Sequence, residues 1–187
     1  IDGTETCALW QHASLQLQAS TGVVYGIWHY NKLLNDKEFL YDKGIEILIQ
    51  VSRMLATRGQ WGQKTGKFGF FCVMGPDEFQ MMVNNNCYTN FMGKKTFEFT
   101  LDVINEMRIN APAKLAAISQ KLSLKSQELE NWKQMAEKMC ILLDDETGIY
   151  EQHEGFFNLP HIDVDSIPVE QFPLYHSWSY DRIYRND

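Results

Sequence analysis

The sequence predicts a mainly α-helical fold with one short β-hairpin. Apolar and small residues recur three or four apart in several long segments, the first running from Gln11 to about Leu34. Between Gly59 and Met74 this period gives way to turn residues followed by closely spaced aromatic residues, which is typical of a strand pair. We therefore expect successive antiparallel helices with functional loops between them. Such an arrangement suits a helical toroid or solenoid better than a four-helix bundle.

The first two helices are expected to form a hairpin. The polar pair Asn35-Asp36 ends the first helix, and Asp36 is well placed as the N-cap of the second. Three glycines lie inside the two helices, and each costs up to about 1 kcal/mol relative to alanine. Glycines placed in this way indicate close packing between helices; they are Gly22, Gly26 and Gly44.

The remaining elements follow from turn and cap signals. Turn residues 64–66 precede a run suited to a strand, Phe68 to Val73, and this hairpin delivers the sequence GPDE at positions 75–78. Helical periodicity returns at about Tyr88 and is interrupted by Pro112, after which a short helix is predicted. Another helix is predicted to start at Ser126, with acidic residues in its first turn to complement its dipole. Residues 144–187 are rich in prolines and aromatic residues and predict an extended tail with short strands.

Composition excludes several functional classes. The chain has 187 residues, 44% of them apolar, and a net charge of −7. Without a basic patch, neither nucleic acid nor an anionic membrane is an expected partner, and no apolar run is long enough to span a bilayer. The 4 cysteines have neither zinc-site spacing nor a disulfide framework, so we expect reduced, buried thiols in a cytoplasmic protein. The chain opens at Ile1 without a methionine, which predicts a processed product or an excised part of a longer chain.

Glu78 is the strongest candidate for a catalytic residue. It follows Gly-Pro-Asp at the exit of the aromatic strand, on a loop end directed by a rigid turn. The neutral polar residues after it, including Asn84, Asn85 and Asn86, offer the directional hydrogen bonds that sugar hydroxyls need. A carboxyl group in such surroundings tends to stay protonated, which suits a general acid. The alternative is that residues 84–86 form a polar turn with helix caps.

The other candidates are less specific. Asp77 is either a second acid or a cap of the turn. Trp10 and Gln11 place an aromatic and an amide group at a helix start, where they suit either ligand contact or an ordinary cap. His153 either lines a pocket or lies on a solvated strand. No carboxylate and histidine share a metal-ligand spacing with a third partner nearby, so no metal site is expected.

Several segments together resemble glycoside hydrolase family 65, the inverting disaccharide phosphorylases that act on maltose, trehalose, kojibiose and nigerose. The most specific is GPDEFQMMVNNNCYTN, which is similar to the catalytic-loop signature of the family. Other segments follow in the family's order: IDGTETC, GVVYGIWHY, LYDKGIEILIQVSRMLATR, GIYEQHEGFFNL and SWSYDRIYRND. The resemblance extends over essentially the whole chain.

This resemblance implies a fold and an activity. Residues 1–187 would be the middle part of an (α/α)6 barrel, with the hairpin carrying the catalytic loop. Glu78 matches the family's general acid, and inorganic phosphate is the nucleophile, so no cofactor is expected. Trp10, Gln11, Asp77 and the three asparagines would line the sugar site. The partners implied are a disaccharide and phosphate, and a homodimer is possible because relatives are often dimeric.

Two departures from the family pattern leave alternatives open. Relatives usually have acids and a histidine near the first helix, whereas this chain has glutamines there, at positions 11, 16 and 18. The family's phosphate contacts are expected beyond Asp187. The alternatives are a family-65 hydrolase of α-glucosides, whose base would lie in the C-terminal part, and a non-catalytic carbohydrate-binding or scaffold homologue. As an isolated piece, the chain is expected to be inactive.

Overall fold

The computed structural model describes residues 14–179 and 182–183. They form a mainly helical body with one two-stranded antiparallel sheet, which confirms the predicted fold class. The regular elements, in chain order, are α1 (Gln18–Leu34), α2 (Lys37–Phe39), a π-helical turn (Leu40–Gly44), α3 (Ile45–Arg58), β1 (Gln60–Trp61), β2 (Phe68–Gly69), α4 (Cys87–Asn110), α5 (Pro112–Leu122), α6 (Ser126–Glu137) and α7 (Leu174–Ser177).

The helical hairpin of α1 and α3 is present, with the cap where it was predicted. The Asp36 carboxylate accepts a hydrogen bond from the Phe39 amide at 3.0 Å and so caps α2. Gly44 does lie at a close approach, since a Cβ atom there would meet the Ile27 side chain at 3.4 Å. The prediction of close packing is wrong for Gly22 and Gly26, where an added Cβ would meet no atom within 4 Å.

α4 is the central element of the fold. It packs against α1, α3, α5 and α6, and its buried face includes Phe97, Ile104 and Met107. Leu48 of α3 and Trp132 of α6 are buried in the same cluster. A long helix surrounded by others provides a rigid support for the loop that precedes it.

The hairpin lies on this helical core rather than apart from it. Phe68 of β2 is paired with Trp61 of β1, and its side chain is buried. On its other side, the Phe68 amide donates to the Lys138 carbonyl at 2.9 Å, and its carbonyl accepts from the Cys140 amide at 2.7 Å. The strand that leads to the candidate site is therefore fixed on both edges.

The C-terminal region differs from the expected tail with short strands. Between residues 144 and 179 the structure has short 3-10 turns and α7, and its only strand-like pairing is an isolated bridge between Leu143 and Tyr150. Prolines at 160, 168 and 173 explain the difference, because proline lacks the amide that a strand ladder requires. No helix in residues 14–179 and 182–183 is both long and apolar enough to cross a bilayer.

Candidate active site

The loop that carries Glu78 is closed at its base by backbone hydrogen bonds. The amides of Val73 and Val83 each donate to the other's carbonyl at 2.9 Å, and the Asn85 amide donates to the Phe70 carbonyl at 2.9 Å. Val73 and Phe70 are fully buried, so both ends of the loop are anchored in the core. Residues 74–82 therefore project as a defined loop from the end of the hairpin.

Asn86 joins this loop to α4. Its side-chain oxygen accepts from the amide and the hydroxyl of Thr89, both at 3.0 Å, and so caps the helix. Its amide group donates to the Gln152 carbonyl at 3.3 Å. Gly75 packs directly on this side chain, since a Cβ at Gly75 would lie 2.4 Å from Asn86 Nδ2. Only glycine permits such an approach, and the cap thereby sets the position of the loop.

The other two asparagines are also bonded within the protein. Asn85 is buried and adopts the left-handed conformation, with φ at 52°. It donates to Glu154 Oε2 at 2.9 Å and accepts from Asn90 at 3.3 Å. The exposed Asn84 accepts from the Cys72 amide at 3.1 Å. The turn and cap named as the alternative are thus present, while contact of the three asparagines with a sugar stays a prediction.

Glu78 itself is exposed near the tip of the loop. One of its carboxylate oxygens, Oε1, accepts a hydrogen bond from Gln16 Nε2 at 2.8 Å. The other, Oε2, has no hydrogen-bond partner in the part of the chain that the structure describes. The expected neutral enclosure is not formed by residues 14–179, because the side chain lies in solvent there. The contact with Gln16 nevertheless holds the Glu78 carboxylate by one oxygen and leaves the other without a partner in residues 14–179.

Asp77 is held more completely than Glu78. Its Oδ1 accepts from the Phe79 amide at 3.0 Å, which closes a small turn. Its Oδ2 accepts from Gln152 Nε2 at 2.7 Å. With both oxygens bonded, Asp77 fits the capping role that was one of its two interpretations.

Three consecutive residues in the C-terminal region also support the loop, and the sequence alone did not identify Gln152 or Glu154. The Glu154 amide donates to the Asn84 carbonyl at 3.0 Å, in addition to the bond between its carboxylate and Asn85. His153 is buried, not on a solvated strand, and its Nε2 lies 3.3 Å from Gln80 Oε1. The only signal in the sequence was the density of polar groups in EQHE.

Two predicted site residues, Trp10 and Gln11, lie outside the described residues, so their placement is not tested. The cysteines are only partly as expected, since Cys140 is buried but Cys72 is exposed. Within residues 14–179 and 182–183, no three His, Cys, Asp or Glu side chains are grouped so that they could hold a metal ion.

A separate groove runs between α1 and α4. Its volume is about 390 Å³, and its lining is mostly apolar, with Tyr25, Trp28 and Phe91 among the residues that form it. No residue of the Glu78 loop contributes to it. The groove and the loop are thus different surface features.

Comparison with known proteins gives the family. The model of the glycosyl hydrolase family 65 central catalytic domain matches residues 3–187. Alpha,alpha-trehalose phosphorylase of Thermoanaerobacter brockii is 38% identical over 99% of this chain and 24% of its own length. Kojibiose phosphorylase of Halothermothrix orenii is 32% identical over 90% of this chain and 22% of its own length.

A solved structure agrees with these relatives. The structure named "Putative kojibiose phosphorylase from human microbiome" is 48% identical and superimposes with a TM-score of 0.88 over 99% of this chain and 25% of that chain. The chain therefore spans about a quarter of the length of the proteins that it matches. Because the family model covers nearly every residue, this chain belongs to glycoside hydrolase family 65.

Proposed function

We propose that this chain is the central part of a longer (α/α)6-barrel catalytic domain, and that the whole protein cleaves an α-linked glucosyl disaccharide with phosphate and inversion. The relatives named for trehalose and kojibiose phosphorolysis support the reaction class. The observation that carries the assignment is the exposed side chain of Glu78, whose Oε2 has no partner among the described residues. The neighbouring carboxylates of Asp77 and Glu154 are both engaged in holding the loop.

In the proposed reaction, Glu78 is the general acid. It transfers its proton to the glycosidic oxygen as the bond from that oxygen to the anomeric carbon breaks, and the acceptor sugar leaves neutral. A phosphate oxygen forms the new bond to the anomeric carbon from the opposite face, which inverts the configuration. The Glu78 carboxylate then regains a proton from solvent.

The proposal takes phosphate as the nucleophile because the relatives are named as phosphorylases. An inverting hydrolase needs a second carboxylate to activate water. Phosphate is already negatively charged and needs no such base. Inorganic phosphate is then a co-substrate, and no further cofactor enters the proposal.

The sugar site is proposed to include the loop and the segment before α1. Trp10 and Gln11 would contact the sugar, together with the loop groups at Asp77 and Asn84. Asn85 and Asn86 would support the site mainly through the loop that they hold.

We also propose a cytoplasmic location and a homodimer for the whole protein.

The proposal is tested with Glu78→Gln in the full-length protein. The substitution keeps the size and the polar contact but removes the proton donor, so phosphorolysis should fall by about 10²–10⁴-fold. The measurement is release of glucose 1-phosphate from trehalose, kojibiose and maltose in the presence of phosphate. The matched control is Glu130→Gln on α6, whose carboxylate is also exposed and also accepts from a glutamine, and which should leave turnover unchanged.

The outcomes separate the alternatives. Wild-type turnover in the Glu78→Gln protein would contradict the assignment of the acid. Sugar release that does not depend on added phosphate would indicate the hydrolase. Sugar binding by calorimetry without turnover in the wild-type protein would indicate a non-catalytic homologue, the alternative that the glutamines at 11, 16 and 18 favour.

A further inference from the structure

The segment before α1 contacts the Glu78 loop at three points. The Met74 amide donates to the Leu15 carbonyl at 3.2 Å. Gln18 Nε2 donates to the Gly75 carbonyl at 3.1 Å, and Gln16 Nε2 donates to the Glu78 carboxylate at 2.8 Å. Two of the contacts fix the backbone at the start of the loop, and the third reaches the carboxylate. Residues 15–18 thus form a frame along one side of the loop.

The contact of Gln16 with Glu78 makes the two carboxylate oxygens different. The Gln16 amide group donates, so Oε1 must act as an acceptor. When the carboxyl group is protonated, its carbonyl oxygen is the better acceptor, so the proton is favoured on Oε2. Oε2 is the oxygen with no partner in the described part of the chain. The amide therefore selects both the rotamer of the acid and the oxygen that carries the proton.

We propose that Gln16 is a positioning residue that orients Glu78 as the proton donor. This inference rests on the proposed function, because it assumes that Glu78 is the general acid. Gln16 transfers no proton itself. It acts through Glu78, and Gln18 supports it by fixing the loop backbone at Gly75.

The role predicts a dependence on the leaving group. A disaccharide releases a sugar alkoxide that must be protonated as it departs, whereas α-glucosyl fluoride releases fluoride, which depends far less on an acid. Loss of orientation at Glu78 should therefore slow the reaction of the disaccharide and largely spare the reaction of α-glucosyl fluoride. A loss of folding or of sugar binding would slow the reactions of both substrates alike.

The experiment uses Gln16→Met in the full-length protein. Methionine has nearly the length of glutamine but cannot donate a hydrogen bond. The bond from Gln16 strengthens as Glu78 loses its proton and becomes charged, so kcat for the disaccharide that the wild type turns over best should fall about 10- to 100-fold. With α-glucosyl fluoride and phosphate, kcat should change less than about threefold. The matched control is Gln134→Met, which removes a glutamine-to-glutamate contact on the surface of α6 and should change neither rate.

A double substitution makes the test specific to Glu78. If Gln16 acts through this residue, adding Gln16→Met to Glu78→Gln should cause little further loss with the disaccharide. If Gln16→Met lowered kcat equally with the disaccharide and with α-glucosyl fluoride, or did not lower it with the disaccharide, the inference would be overturned. A normal rate in Glu78→Gln alone would instead overturn the proposed function, so the two failures are distinguishable.

Discussion

Asn86 combines three structural roles in one side chain. It caps α4 through Thr89, donates to the Gln152 carbonyl, and packs on Gly75. The amide side chain is needed because the cap uses its oxygen while the contact with residue 152 uses its nitrogen. A single residue therefore connects the central helix, the C-terminal region and the loop of Glu78.

We expect Asn86→Ala to lower the free energy of unfolding by about 1–2 kcal/mol, because loss of an N-cap alone costs about this much. Urea denaturation measures the change. The control is Asn131→Ala on α6, whose exposed side chain accepts a hydrogen bond from Gln127 at 3.0 Å. This substitution should change stability by less than about 0.5 kcal/mol. Similar values for the two variants would show that the cap contributes little.

At the scale of whole elements, Arg53 joins α3 to the beginning of α6. Its Nε and Nη2 donate to the two oxygens of Glu128 at 2.7 and 3.1 Å, and Nη2 also donates to the Leu122 carbonyl at the end of α5. The hydrogen bond from Arg53 is the main reason that the pKa of Glu128 is lowered. Both side chains are about a quarter exposed, at 26%, so solvent reduces the strength of the pair.

This contact predicts a pH-dependent stability. A carboxyl group whose pKa is lower in the folded state stabilises the fold above its unfolded-state pKa, and the contribution is lost as the pH falls through the folded-state value. Arg53→Met should therefore cost about 1–2 kcal/mol at pH 7, and the difference from wild type should shrink as the pH is lowered below about 4. Urea unfolding of both proteins from pH 7 to 3 measures this difference in stability. The control is Lys95→Met, which removes the exposed ion pair of Lys95 with Glu98. A difference independent of pH would contradict the role of the charge pair.

The elements show what can be predicted from local sequence. Asp36, Pro112 and Ser126 lie at helix starts in the structure because caps and proline act within a few residues. The hairpin and the position of Glu78 after it were also predicted from local signals. The partners of the loop were not, because Gln152 and Glu154 lie 75 and 69 residues from the groups that they bind. The close packing expected at Gly22 and Gly26 failed because both face outward, and sequence period alone does not show what a helix packs against.

At the scale of the whole molecule, α1 leaves much apolar surface uncovered. Tyr25 is 51% exposed and Leu33 is 72% exposed, and the groove between α1 and α4 lies beside Trp28. In the proposed longer barrel, further helices would cover such faces. Apolar surface of this extent on a separate chain favours association.

We therefore expect residues 1–187, expressed alone, to associate with themselves and to have no activity on disaccharides. Sedimentation velocity should show a weight-average mass that rises with protein concentration. Leu33→Lys should reduce the association, because it places a charge on the exposed face. Ile149→Lys, at an exposed position elsewhere, should not. A monodisperse monomer that cleaves disaccharides would contradict both expectations.

The frame formed by residues 15–18 also has a consequence for the order of folding. The loop of Glu78 closes through contacts between neighbours in sequence, such as Val73 with Val83, which form at low entropic cost. Gln16 lies 62 residues from Glu78, so its contact requires closure of a much longer chain segment. A chain in which the loop has formed but residues 15–18 have not yet joined it would carry the carboxylate without its orientation. The proton donor would thus acquire its direction only when distant parts of the chain have come together.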